Sequence, residues 1–129
     1  MTTTLRKAKK ARKNVEQGVV TINATFNNTH VAISDDKGDL LTWCTGGRAG
    51  FKGAREATPY AAQVTVEKAL EEAKRLHGLA KCTVIVKGIG PGRDSAIRGI
   101  VGSGVEILSI FDETPVPHNG CRKKKVRYL

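Results

Sequence analysis

The chain has little aromatic or sulfur chemistry: one Trp, two Tyr, three Phe, one Met and three Cys in 129 residues. Cys44, Cys82 and Cys121 stand far apart with no CxxC pair. That spacing argues against a disulfide framework and a zinc ribbon, and it fits a reducing cytosol. His118 and Cys121 form one HxxC, but structural zinc normally takes four ligands and no second pair stands nearby, so no metal is expected. No apolar run approaches the ~18 residues needed to span a membrane. The N-terminus lacks the apolar core of a secretory signal, and Leu5 alone is too little for the amphipathic helix of a transit peptide. This segment is therefore expected to be retained and functional.

The most informative absence is of acid at the two ends. Residues 1–13 carry Arg6, Lys7, Lys9, Lys10, Arg12 and Lys13, and residues 122–129 carry Arg122, Lys123, Lys124, Lys125 and Arg127, with no Asp or Glu in either segment. These eleven cations exceed the net charge of +10, and the stretch between them holds eleven basic and twelve acidic side chains. Arms so charged and so poor in apolar groups do not pack by themselves, so they are expected to be disordered until a polyanion orders them. Nucleic acid is the leading partner class. The chain divides on this reading into a basic arm (1–13), a single globular domain (14–113) and a Pro-containing extension with a basic arm (114–129). One domain of this length has room for a modest core and no room for a second.

Alternation of Val20, Ile22, Ala24 and Phe26 with Thr21, Asn23 and Thr25 predicts a half-buried strand over 18–26. Asn27 and Asn28 make a turn, 29–34 repeats the pattern, and Asp35 to Asp39 turn the chain into a third strand over 40–44, giving an antiparallel meander. Thr58 as N-cap, Pro59 at the first helical position and Gly78 at the far end frame a helix. Ala62, Val66, Ala69, Leu70, Ala73 and Leu76 share one of its faces. A strand over 81–86, a helix from Asp94 to about Val101 and a strand over 105–111 follow. The expected fold is α/β: a mixed five-stranded sheet with helices packed on it.

Three segments carry candidate chemistry. Thr45 to Arg55 holds four glycines, Arg48, Lys52 and Arg55, with Phe51 as a face for a base to stack on. The plain alternative is a flexible surface loop. Lys87-Gly88-Ile89-Gly90-Pro91-Gly92-Arg93 joins a strand to a helix N-terminus, where backbone N–H groups and the cations Lys87, Arg93 and Arg98 suit a polynucleotide phosphate. It matches neither a P-loop nor a dinucleotide fingerprint, and the plain alternative is a tight turn. Thr114 to Arg122 contains Pro115 and Pro117, which preclude a central strand, so this segment is expected to leave the domain as an extended finger aiming its cations outward. Within it Asn119-Gly120 suits succinimide formation, because glycine offers no side chain to hinder its backbone nitrogen. Asn119 is therefore a candidate isoaspartate site, the alternative being an intact asparagine held by RNA in a geometry that blocks attack.

Phe26-Asn27-Asn28-Thr29, Thr58-Pro59-Tyr60-Ala61-Ala62-Gln63, Lys87 to Arg93 and Thr114 to Arg122, in that order, closely resemble the universal small-subunit ribosomal protein eleven family in its bacterial form. The resemblance runs from about Val15 to Leu129. It implies a ribonuclease-H-like motif without nuclease activity, no cofactor, and a cytoplasmic place in the ribosome. It further implies a platform protein that binds small-subunit ribosomal RNA of the 16S type, bridges RNA helices and helps form the cleft for the Shine-Dalgarno duplex of mRNA. Implied neighbours are small-subunit proteins seven and eighteen and initiation factor three. Expected RNA contacts are the arm cations, Asn27, Asn28, Arg48, Phe51, Lys52, Arg55, Lys87, Gly90, Gly92, Arg93, Arg98, His118 and Asn119. Arg93 and the set Arg48, Lys52 and Arg55 are expected to act in binding and not in folding. Two departures stand out: Glu56 where many relatives carry Lys or Arg, and Lys123-Lys124 where many carry prolines, which should loosen the tail.

Two rival classes share parts of this profile. An enzyme would need a carboxylate pair in a cleft or a nucleophile with its base, and neither is legible. A free-standing regulator of messenger or DNA shares the same composition, and co-sedimentation with small subunits would separate it.

Overall fold

The computed structural model describes residues 14–125; the cations of the first arm and Arg127 lie outside the described residues. Strand β1 spans Gln17–Ala24, β2 Thr29–Ser34, β3 Leu40–Thr45, β4 Lys81–Lys87 and β5 Glu106–Asp112; helix α1 spans Pro59–His77 and α2 Arg93–Gly102. A 3-10 turn over Gly53–Ala57, not expected from the sequence, precedes α1.

In β1 the alternation places Val20, Ile22 and Ala24 wholly inside. The strand stops two residues short of the expected end because the Thr25 hydroxyl accepts the backbone N–H groups of Asn27 and Asn28, at 3.3 and 3.0 Å, and curls the chain. Phe26 is thereby left in solvent. At the next turn Asp35 Oδ1 accepts the N–H groups of Lys37 and Asp39, both at 2.9 Å, which starts β3 on schedule.

Helix α1 forms as its caps require. The Thr58 hydroxyl accepts the Ala61 N–H at 3.2 Å, and Gly78 at φ 68° closes the far end with its N–H on the Lys74 carbonyl. Ala62, Val66, Ala69, Leu70 and Ala73 are buried as expected, but Leu76 is only half-buried and His77 is inside instead. Alanines on this face let α1 lie close over the sheet. Helix α2 approaches α1 at Gly99, where a Cβ would come within 3.2 Å of the Gln63 carbonyl. The core joins Ile22, Ile33, Leu70, Ile100 and the β4 valines in one cluster. Full burial of each such side chain contributes about 1.5–3 kcal/mol.

The sheet order is β3-β2-β1-β4-β5; β1 pairs antiparallel with β2 and β2 with β3, while β1–β4 and β4–β5 are parallel. This is the mixed five-stranded sheet that the sequence implied, in a ribonuclease-H-like order. Both helices pack against each other on one face. The topology has a second consequence: the C-terminal ends of β1, β3, β4 and β5 and the N-terminal ends of β2, α1 and α2 all lie at one end of the domain. Turns 25–28, 46–58 and 88–92 and the start of the tail therefore meet there, and Asp35, Asp36 and Asp39 lie at the other end.

Candidate nucleic-acid interface

The glycine-rich segment is an ordered turn and not a floppy loop. Gly46 N–H reaches the Thr29 carbonyl (3.3 Å), Ala49 N–H the Thr45 carbonyl (3.0 Å) and Phe51 N–H the Gly46 carbonyl (3.0 Å), while Lys68 of α1 donates to the Ala49 carbonyl (3.1 Å). A second lock comes from outside the segment. Asn28 Oδ1 accepts from Thr29 N–H at 2.7 Å and Gly46 N–H at 3.1 Å, and its Nδ2 donates to Glu56 Oε2 at 2.9 Å. Gly46 is required here, since a Cβ would stand 2.7 Å from Asn28 Oδ1 and 2.9 Å from the Glu56 carbonyl. Asn28, expected to touch RNA, thus spends its side-chain amide on holding two turns together. Glu56 is its partner.

On this frame Lys52 and Arg55 are exposed, and neither has a side-chain partner among the described residues. Asn27 is likewise exposed. Arg48 is held: its Nη1 donates to the Trp43 carbonyl at 2.7 Å, its guanidinium lies 4.7 Å from the centre of the Trp43 ring, and its Nη2 is 3.7 Å from Glu72 Oε2. Phe51 does not offer the free face expected of it. It is partly buried against the core and meets Tyr60 edge-on at 5.8 Å, because the Gly46–Phe51 hydrogen bond turns it inward. Exposed rings at this end include instead Phe26, Trp43 and Tyr60. Trp43 was missed, although Thr42 and Cys44 on either side point inward and the two-residue period puts it outside.

The second loop corrects a sequence expectation. Gly90 and Gly92 are buried, so the surface of each is covered largely by the chain itself and neither stands open as expected. Their small size serves the chain itself: a Cβ on Gly88 would stand 2.2 Å from the Ala24 carbonyl, one on Gly90 2.2 Å from the Thr25 carbonyl, and one on Gly92 2.5 Å from Thr29 Oγ1. Gly88 also has φ 94°, a region that favours glycine. Lys87 is half-buried and Arg98 exposed.

Arg93 is a clasp. Nη1 donates to the Gly88 carbonyl and, at 3.4 Å, to Thr114 Oγ1; Nη2 donates to Asp112 Oδ2 at 2.8 Å. Thr114 completes it, accepting the Gly88 N–H at 3.2 Å while its own hydroxyl donates to Asp112 Oδ1 at 2.6 Å. The Thr114 hydroxyl, then the Arg93 guanidinium, hold the Asp112 carboxyl down at about 2. The expectation that Arg93 acts only in binding is corrected on this geometry, because it ties β5 and the root of the tail to the loop before α2.

Beyond Thr114 the chain is exposed, with His118, Asn119 and Arg122 to Lys125 all in solvent. It is not a straight finger: Asn119 takes φ 56° and the chain bends at His118 to Asn119. Asn is among the few residues that tolerate this left-handed conformation. The site joins Lys52, Arg55, Arg48 and Asn27 on one side to Lys87, Arg98 and the tail cations on the other. Both helix N-termini, with their partial positive charge, face the same end. Burial pushes the thiols of Cys44 and Cys82 up, Cys82 to about 11, so neither is poised as a nucleophile.

Such a fold and site define a structural protein of ribonucleoprotein type, with a rigid sheet presenting cationic loops from one end. The family model for Ribosomal protein S11 matches residues 18–128. Three proteins described as small ribosomal subunit protein uS11 are similar over nearly the whole chain. That of Chromobacterium violaceum is 50% identical over 127 residues, 98% of this chain and 96% of its own length. That of Paraburkholderia xenovorans is 51% identical over 121 residues, 94% and 90%. That of Aquifex aeolicus is 49% identical over 117 residues, 91% and 93%. The chain belongs to the ribosomal protein S11 family, and it is a structural, non-catalytic constituent of the small ribosomal subunit.

Proposed function

We propose that this protein binds small-subunit ribosomal RNA of the 16S type on the platform, bridging RNA helices and helping to form the cleft for the Shine-Dalgarno duplex of mRNA. The observation that carries the reading is convergence: turns 25–28 and 46–58, the loop before α2, the root of the tail and both helix N-termini meet at one end of the sheet. Phosphates of two RNA helices can then be met by two separate sets of cations, Arg48, Lys52 and Arg55 on one side and Lys87, Arg98 and the tail on the other. Residues 1–13 and 114–129 act as RNA-binding arms on a body of residues 14–113. Small-subunit proteins seven and eighteen and initiation factor three are the neighbours this placement suggests.

Asn119 is proposed as a modification site. Attack of the Gly120 nitrogen on the Asn119 side-chain carbonyl expels ammonia and closes a succinimide, which water opens to aspartate or isoaspartate. The dipeptide is exposed, and isoaspartate adds one negative charge and a backbone carbon beside the basic tail.

Salt titration tests the RNA reading. Affinity of the full chain for a platform RNA fragment should fall by roughly 0.7–0.9 log units per log unit of salt for each phosphate contacted. Removing residues 122–129 should flatten that slope, and an unchanged slope would exclude the tail from the phosphate backbone.

A further inference from the structure

The outermost strand of the sheet is unlike the other four. Every other strand buries at least two residues, but β5 buries none, although Cys82, Val84 and Val86 of neighbouring β4 are fully inside. Leu108, Ile110 and Phe111 are 44, 49 and 52% exposed. The register explains why both faces are affected. Ile110 stands opposite buried Val84 on the helix side, yet the helix layer scarcely reaches β5; Phe111 stands opposite Ile85 on the face that carries no helix. Strand β5 is also an edge, paired to β4 on one side and to no strand among the described residues on the other. A bulge at Leu108 breaks the register of β5, but the stretch after it is an apolar edge with no second strand beside it among the described residues, a template for another strand.

Charge selects the occupant. From Gly99 to Cys121 this basic chain has no Lys or Arg, and the stretch carries Glu106, Asp112 and Glu113. Arg93 and Lys81 come at it only from neighbouring elements, Arg93 bound to Asp112 and Lys81 opposite Glu106 on β4. RNA would meet three acids and apolar side chains there, without a cation on the strand itself. A second copy of the chain would set the same acids against one another. We infer that the β5 edge docks an extended segment of another protein of the small subunit, adding it as a sixth strand, its apolar residues flanked by Lys or Arg that answer Glu106 and Glu113. Backbone pairing supplies the register, and Leu108, Ile110 and Phe111 supply contacts on both faces. The C-terminal end of β5 reaches the cationic end, but the edge itself carries no Lys or Arg, so its occupant is tested apart from the RNA-binding reading.

A benzophenone amino acid placed at Leu108 of the full chain, in purified small subunits, tests it directly. Irradiation should link this position to a protein segment with apolar residues flanked by basic ones. Amides of β5 should exchange at least about ten-fold more slowly in complete subunits than in the chain bound to RNA alone. That exchange measurement needs no substitution, so it holds even if variants fold poorly. Leu108→Lys should abolish the added protection while leaving the affinity and salt slope for platform RNA unchanged. Cross-linking to ribosomal RNA or to a second copy, equal exchange in the two states, or loss of RNA affinity with Leu108→Lys would each overturn the inference.

Discussion

Exchanging Asn28 for Asp changes the shape of the side chain hardly at all and inverts one interaction. The amide holds the turn after β1 against the glycine-rich segment by accepting from Thr29 and Gly46 and donating to Glu56 at 2.9 Å. In Asn28→Asp both accepted bonds persist, but a carboxylate now faces the Glu56 carboxylate where a donor stood. Two unit charges about 4 Å apart repel by ~1 kcal/mol in bulk water and ~4 kcal/mol at an effective dielectric constant of 20. For this half-buried site we expect a loss of about 2 kcal/mol at pH 7, the lost charge-assisted bond included. The repulsion needs both carboxylates charged, so the penalty is present at neutral pH and fades as acid neutralises either one. Urea unfolding of wild type, Asn28→Asp, Glu56→Gln and the double variant, each at pH 7 and near pH 4.5, measures this. Glu56→Gln should restore most of the stability of Asn28→Asp, because a neutral amide removes the like charge. A variant as stable as wild type at pH 7, or a double variant no better than Asn28→Asp, would refute the lock.

Arg93→Ala should lower the thermal midpoint more than Arg55→Ala, because only Arg93 joins the loop before α2 to Asp112 and Thr114. The Asp112 carboxyl is depressed from 3.8 to about 2, so the clasp is complete above pH 3.8 and lost as pH falls through about 2; the gap between wild type and Arg93→Ala should narrow across that window. Lys52→Ala and Arg55→Ala should leave stability within about 0.5 kcal/mol and weaken binding to platform RNA, as filter binding beside urea unfolding would show. Peptide mass spectrometry that separates the isomers should find isoaspartate at Asn119 in freshly purified small subunits, and intact asparagine throughout would end that proposal.

What the sequence made legible was whatever its neighbours determine. Thr58, Pro59 and Gly78 frame α1 because capping is local, and Val20, Ile22, Val84 and Val86 show their strands because the pleat alternates every second residue. The lock and the clasp were hidden for the opposite reason. Asn28 and Glu56 lie 28 residues apart and Arg93 and Thr114 lie 21 apart, separations on which neither periodicity nor propensity bears. The glycines show a third limit. A run such as Gly88-Ile89-Gly90-Pro91-Gly92 announces that something approaches closely, and only the fold shows that β1 with its turn and the start of β2 fills that space.

That substitution of partner bears on how the interface works. Had the glycines met phosphate, the loops would be adaptable surfaces that gain their shape on binding and carry the entropic cost of ordering at that moment. Packed against Ala24, Thr25 and Thr29, tied through Asn28 to Glu56 and through Arg93 to Thr114, they have their shape beforehand. Cations on this frame, Lys52 and Arg55 on the glycine-rich turn and Arg98 on α2, then lose only side-chain freedom when they meet a polyanion. Two rigid loops fixed to one sheet also hold their charges at a set separation, which the proposed bridging of two RNA helices needs and a pair of flexible loops would not supply.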